Sequence, residues 1–352
     1  MAESNAFKQL EEKDIVSTRT LLHEAIPLTG SILSGTYTDL NIKDPPHAMY
    51  QSVYDYPYLS SSANHIFDIT VGVSTASTLT VTTAGQVTKK KNIYNQMSQI
   101  LVGYDVTGSV LHFDKDGDLT AGDKYEDVIV VPFSRLLVKD EIKKGTFSMT
   151  LGVSLLYATP FGSTIEITDA SGSDKYYVNS PVGEYGILYG AGTAMSGGAT
   201  AAVGLLYYQA GIAVLTKDVF SGSLDPAAQD VDMDGVGPLL INDMLTGSTN
   251  TVIANAFRHR LQNVQFNNTT ELNSTIYFCR ANHNEFNYST NPSYVDGSKI
   301  RVKTNSTDEP ISYITSIGLY NDKNELMATA KLSEPLKKSP STEFTLRARL
   351  DY

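Results

Sequence analysis

The chain has 352 residues with 27 Lys and Arg against 38 Asp and Glu, six His, one Cys and no Trp. A hydrophobic content of 41% with 18% charged residues supplies enough apolar material for a real core, which excludes global disorder. A net charge of −11 argues against a nucleic-acid sleeve, and a lone Cys279 excludes a disulfide scaffold. At roughly 150 residues per domain, the length suits two domains or one large one.

The opening stretch, MAESNAFKQLEEKD, is polar from its start and lacks the basic and apolar regions of a secretory signal. Synthesis in the cytoplasm is therefore expected, where a reduced thiol belongs. Residues 66–83 (IFDITVGVSTASTLTVTT) alternate β-branched residues and read as strand. In Lys91 to Tyr104, Ile93, Met97, Ile100, Leu101 and Tyr104 fall on one helical face, ended near Gly103. The run 128–132 (VIVVP) reads as a buried strand stopped by proline. Residues 134–144 (SRLLVKDEIKK) have a Ser cap, an apolar stripe and Gly145 as a stop, and predict a second helix. Strand character returns in 147–158 and 163–167.

Residues 199–215 (ATAAVGLLYYQAGIAVL) are uncharged, but the run is short and holds Gln209, so it reads as a buried hairpin or helix rather than a membrane span. The turn-rich, acidic SGSLDPAAQDVDMDGVGP predicts a boundary near 220–240. PLLINDML and TVIANAFRHRLQ predict two further helices separated by TGSTN. Near the carboxy terminus, TIYFCR (275–280) reads as strand, and 311–320 and 325–332 as a hairpin turned by Asn321 to Asn324. The closing TEFTLRARLDY alternates Phe344, Leu346, Ala348 and Leu350 with polar residues, a strand that must pair with something. The expected fold is β-rich α+β: antiparallel β-sandwich-like sheets with a few short helices. Its expected domains are residues 1–225, with helices near 91–104 and 134–144, and a carboxy-terminal sandwich-like domain at 240–352.

Chemistry-bearing motifs are incomplete. Asp230, Asp232, Asp234 and Gly235 open like a calcium loop, but position twelve is Ile241 instead of a bidentate Glu. Asp114, Asp116 and Asp118 lack the sixth-position Gly, and Glu126 falls one residue late. Gly190-Ala191-Gly192 begins like a dinucleotide fingerprint, yet Met195 stands where the third glycine belongs. Gly152-Val153-Ser154-Leu155-Leu156 lacks the second glycine of a nucleophile elbow, and Cys279 lies in an apolar strand. No histidine pair has i, i+4 spacing. Arg258-His259-Arg260 reads as a salt-bridged helix face, and Asp140 and Glu141 point apart on a helix. The expectation is a non-enzymatic protein with no catalytic residue, no cofactor and no bound metal.

What remains is interaction. ANHNEFNYSTNPSY (281–294) is dense in amides and rings, which reads either as a protein interface or as an ordinary Asn-rich loop, and MYQSVYDYPYLSSS (49–62) invites the same reading. The candidate interface residues are Glu285, Phe286, Asn287, Tyr288 and Tyr294, with Phe344, Leu346 and Leu350 of the closing strand.

At these segments the chain resembles a family of virion structural proteins of T-even-like contractile-tailed bacteriophages, cyanophage-type members especially. The stretches that carry it are LLHEAIPLTGSILSGTY (21–37), MYQSVYDYPYLSSSANHIFDITVG (49–72), NIYNQMSQILVGYD (92–105), FSRLLVKDEIKKGTFSMTLG (133–152) and ANHNEFNYSTNPSYVDG (281–297). YITSIGLYNDKNELMATAKLSEPLKK (313–338) resembles the closing strands of tail-collar and fibre-attachment domains. The resemblance implies a structural component of the tail or baseplate, localised to the virion. Its partners would be other tail, baseplate or neck proteins and further copies in a symmetric ring, with neither nucleic acid nor membrane. The neck between head and tail, or a carbohydrate- or receptor-binding adhesin on the particle, are the alternatives.

Overall fold

The computed structural model describes residues 7–27, 39–81, 85–119, 122–192, 201–221, 230–235, 237, 239–287 and 309–352, with short pieces at 295–296, 299–300, 305 and 307. In chain order the strands and helices begin β1 (Ile15–Pro27), β2 (Ile42–Lys43), β3 (Gln51–Tyr54), β4 (His65–Val73), α1 (Gly85–Leu101), β5 (Phe113–Asp114), β6 (Lys124–Tyr125) and β7 (Asp127–Pro132). Then come α2 (Arg135–Val138), β8 (Glu141–Ile142), β9 (Ser148–Gly152), β10 (Thr164–Thr168), β11 (Tyr177–Ser180), β12 (Gly183–Gly192), β13 (Ala201–Tyr207) and β14 (Ile212–Thr216). The remainder is α3 (Ile241–Gly247), α4 (Asn250–Arg260), β15 (Leu261–Ala281), β16 (Val295–Asp296), β17 (Lys299–Ile300), β18 (Ser312–Tyr320), β19 (Leu326–Lys338) and β20 (Phe344–Asp351). With 45% strand against 18% helix, the chain is a β-rich, mainly antiparallel α+β protein.

Two compact units divide the chain: residues 22–270, and residues 1–21 together with 271–352. The chain passes between them inside β1 and inside the 21-residue β15. The stretch expected to separate 1–225 from 240–352 lies within the first of these units. Of its described residues, Val231 and Met233 are core side chains, so residues 230–235 run against the core.

In the unit of residues 22–270, hydrogen bonding runs through the order β15-β9-β10-β12-β13-β14-β7-β4-β3-β2. β7 shows why the central strands are so apolar. Val128 and Val130 enter one cluster with Tyr94, Leu101 and Tyr207, while Ile129 and Val131 enter another with Phe257, Val71 and Leu215. Both faces of this strand are covered, so alternation separates two cores instead of core from solvent. Close packing demands glycine at Gly204: an added Cβ would stand 2.2 Å from the Val214 carbonyl oxygen on the neighbouring strand.

The uncharged run 201–216 is a β13–β14 hairpin, Tyr207 opposite Ile212, and no described helix is long and apolar enough to cross a membrane. The predicted strand over 66–83 ends at Val73, after which the chain turns into a short 3-10 segment, Thr78–Val81. The helix expected over 91–104 begins earlier, at Gly85. Its buried stripe is Val87, Lys90, Ile93, Tyr94, Ser98 and Leu101, and Ile100 and Tyr104 are exposed. Lys90 occupies a core position of that stripe, which disguised the first turns as polar. The helix expected over 134–144 is a correction: α2 stops at Val138 because Lys139 takes a left-handed φ of 60°. The chain then enters β8, where Ile142 is buried opposite Asn268 of β15. The pair α3 and α4 occupies the two expected segments.

In the other unit, residues 274–281 of β15 pair antiparallel with β20, from Ser274 opposite Asp351 to Ala281 opposite Phe344. The closing strand therefore finds its partner within the chain. The entropy of closing the loop between the two strands grows only slowly with its length, so the pairing is accessible despite their separation in sequence. β18 and β19 form a separate hairpin, turned at the expected Asn321–Asn324, where Asn324 has a φ of 62°.

Candidate interaction surface

Of the predicted interface residues, Tyr288 and Tyr294 lie outside the described residues. Glu285 sits 2.6 Å from the Lys8 ammonium and accepts from the Asn282 amide. Partial burial pushes its carboxyl up, but Lys8 and the amide outweigh this and hold it below its ordinary value. Phe286 is 41% exposed with a left-handed φ of 55°, and its carbonyl accepts from the Ser312 hydroxyl. Asn287 donates to the His283 carbonyl at 2.7 Å and accepts from Lys338 at 2.8 Å. Lys338 is fully buried and also donates to the carbonyls of His283 and Ser339. This end of the Asn-rich loop is thus pinned by one buried ammonium, with the Phe286 ring left outside.

Phe344, Leu346 and Leu350 are half-buried, on the same side of β20 as the buried Ala348. They stand opposite Ala281, Cys279 and Thr275 of β15. Cys279 is half-buried beside them, and its burial raises the thiol pKa, the reverse of what a reactive cysteine needs.

The Tyr-rich segment at 49–62 contains β3 and the first part of its link to β4, and several of its side chains face solvent. Tyr50 and Tyr58 are each 38% exposed, Tyr56 57% and Leu59 84%. Tyr54 anchors this surface from below, meeting Tyr58 at 6.2 Å and His65 at 5.5 Å between ring centroids. His65 in turn lies 2.8 Å from the Asp68 carboxylate. Rings held in place by a hydrogen-bonded base can be buried by a partner at low entropic cost, which is the chemistry of an interface.

The acidic motifs resolve differently. Asp232 accepts from the backbone amides of Asp234, Gly235 and Leu239, so its carboxylate closes a turn. Among the described residues, the three carboxylates that come together are Asp114, Asp116 and Asp118, with oxygens within 4.8 Å of one another. Lys124 lies 3.0 Å from Asp114 and neutralises part of that charge. Nearby, a pocket of about 240 Å³ is lined by Lys115, Asp123, Lys124, Tyr125 and Asp218. It falls below the roughly 300 Å³ at which ligand sites begin, and each of its lysines lies within 4 Å of an aspartate.

The basic knot is also corrected. Arg260 is fully buried and donates to three carbonyls, Gly152 at 3.0 Å, Ser154 at 2.9 Å and Asp232 at 2.5 Å. His259 stacks on Tyr157 with ring centroids 4.0 Å apart. Lys90 plays the same part for α3, donating to the carbonyls of Met244, Leu245 and Ser248. Sequence reasoning missed both cations because a Lys or Arg at a core position looks like a surface residue. The one signal that could have found them was position: each falls on the buried stripe of its own helix.

Compared with known proteins, the chain matches no family model, no curated protein and no solved structure.

Proposed function

We propose that this chain is a structural subunit of a contractile-tailed phage particle, in the tail or baseplate, acting through assembly contacts rather than chemistry. The observation that carries the reading is the exposed ring surface of Tyr56, Tyr58 and Leu59, in a segment that also carries the family resemblance. An apolar, ring-rich patch on a folded base is the surface expected of a subunit that docks. The charge balance suits the same role, because at −11 free subunits repel one another until a specific contact overcomes the repulsion. Made in the host cytoplasm, the subunit would meet other tail or baseplate proteins and its own copies, and a ring would multiply each modest contact.

Tracing the chain by cryo-electron microscopy in purified virions tests this directly. Copies arranged around the tail axis near the baseplate are the expected result. Density at the neck would keep the structural role and move its place; a particle without the chain would refute the proposal.

A further inference from the structure

Among the described residues, the unit formed by residues 1–21 and 271–352 buries few apolar side chains fully, while Ile276, Phe278, Leu346 and Leu350 are half-buried. Its buried hydrophobic side chains, among the described residues, are Ala281 and Ala348. Its other buried positions are polar, Lys338 and Ser274 among them. Larger apolar groups are present and point outward. Phe7 is 51% exposed, Tyr320 47%, Leu326 54% and Met327 68%. Phe7 meets Tyr320 edge-on at 5.0 Å, and Tyr320 stands directly opposite Leu326 across the β18–β19 hairpin. Among the described residues these two strands pair only with each other. A two-stranded hairpin is marginal in water, and a contiguous apolar patch on it marks a surface that is covered in the working state.

We infer that a second copy of this unit covers the Phe7, Tyr320 and Leu326 patch, so that the carboxy-terminal unit buries it by self-association. The inference deepens the assembly reading above by naming the partner and the surface. Charge selects a copy of this same unit. Residues 1–21 and 271–352 carry 13 basic and 14 acidic side chains, whereas residues 22–270 carry 14 and 24. Nearly all of the repulsive charge thus resides in the other unit, and two near-neutral units meet without the penalty that the acidic unit would incur. β19 alternates both signs along its exposed positions, Lys331, Glu334 and Lys337, as a self-complementary contact requires. A unit that leaves such a patch exposed also needs a partner present at equal abundance from synthesis onward, a condition that another copy always meets. The contact is face to face, because Pro335 and the lysines of β19 discourage strand addition at its edge.

Sedimentation velocity of the full chain over a hundredfold concentration range tests the inference, together with hydrogen exchange over residues 312–338. The native chain is expected to associate at micromolar concentration with the hairpin amides protected. Leu326→Glu, on an exposed side chain that no intramolecular core needs, should weaken association at least tenfold and deprotect the hairpin. A native chain that stays monomeric overturns the inference, whether its hairpin is protected by the chain itself or left open for a different protein. So does a Leu326→Glu chain that associates as the native one does. Failure of the virion reading is separable: the chain would then self-associate in solution yet be missing from particles.

Discussion

Replacing Arg260 by methionine removes a guanidinium while keeping most of the buried aliphatic stem. Burial lowers this group to about 10, so it remains charged at neutral pH. Its three carbonyl partners belong to the end of β9, to the segment that follows it, and to the acidic segment at Asp232. Methionine leaves those oxygens without their donor, at about 1–3 kcal/mol for each one that water cannot reach. Relief from burying a charge offsets part of this, and a net loss of about 3–5 kcal/mol follows from the three orphaned carbonyls. At 2–4 °C per kcal/mol, the melting temperature of the unit formed by residues 22–270 should fall by roughly 6–20 °C. Urea unfolding followed by far-ultraviolet circular dichroism and tyrosine emission reads the change, since the chain has no Trp. Lys175→Met, at an exposed position, is the control and should stay within about 0.5 kcal/mol of the native chain. An Arg260→Met chain no less stable than that control would refute the reasoning, because water would then be serving the three carbonyls.

Four further outcomes are expected. Lys90→Met should destabilise the same unit by about 2–4 kcal/mol, since three carbonyls at the end of α3 lose their donor. Burial also lowers Lys90 from 10.5 to about 8, so between those values the unfolded chain binds more protons and the native chain gains stability as pH rises. Urea midpoints at pH 7, 9 and 10 should show this gain in the native chain and lose it in the variant. Gly204→Ala should cost about 3 kcal/mol by forcing a methyl group against the Val214 carbonyl, read as a lowered urea midpoint; a neutral result would show that β13 and β14 can move apart. The Arg280 guanidinium, donating to Asp14 at 2.6 Å, holds that carboxyl below its ordinary 3.8. Asp14 therefore contributes stability above the unfolded value that is lost as pH falls through the lowered folded one, and Asp14→Asn should flatten this part of an acid titration.

Much of the fold was legible in the sequence wherever a segment's own pattern decided its structure. The uncharged run at 201–216 could hold only a hairpin or a short helix once its length excluded a membrane span, and polar turn residues announced the hairpin at 312–338. TGSTN separated two helices whose apolar residues face the core. In the two segments whose composition suggested contact, Tyr56, Leu59 and Phe286 are exposed. What misled was any residue whose role depends on a distant partner. Lys90 hid the start of α1, and SRLLVKDEIKK had a helical pattern that the pairing of Ile142 with β15 overrode. Val231 and Met233 gave an acidic segment a place in the core that its neighbours in sequence concealed.

The amino-acid sequence by itself therefore determined the class of this protein: β-rich, acidic, free of disulfides, with ring-rich loops and a closing strand that had to pair. Periodicity and turn chemistry act over a few residues, and a single chain displays them without its fold. Only the tertiary structure decided that the closing strand pairs with β15, that Arg260 and Lys90 are buried clamps, and that Phe7, Tyr320 and Leu326 of the carboxy-terminal unit stay exposed. Those outcomes depend on which groups a side chain meets after the chain has closed loops of tens to hundreds of residues. Burial and hydrogen-bond partners are properties of that closure, and no local pattern encodes them.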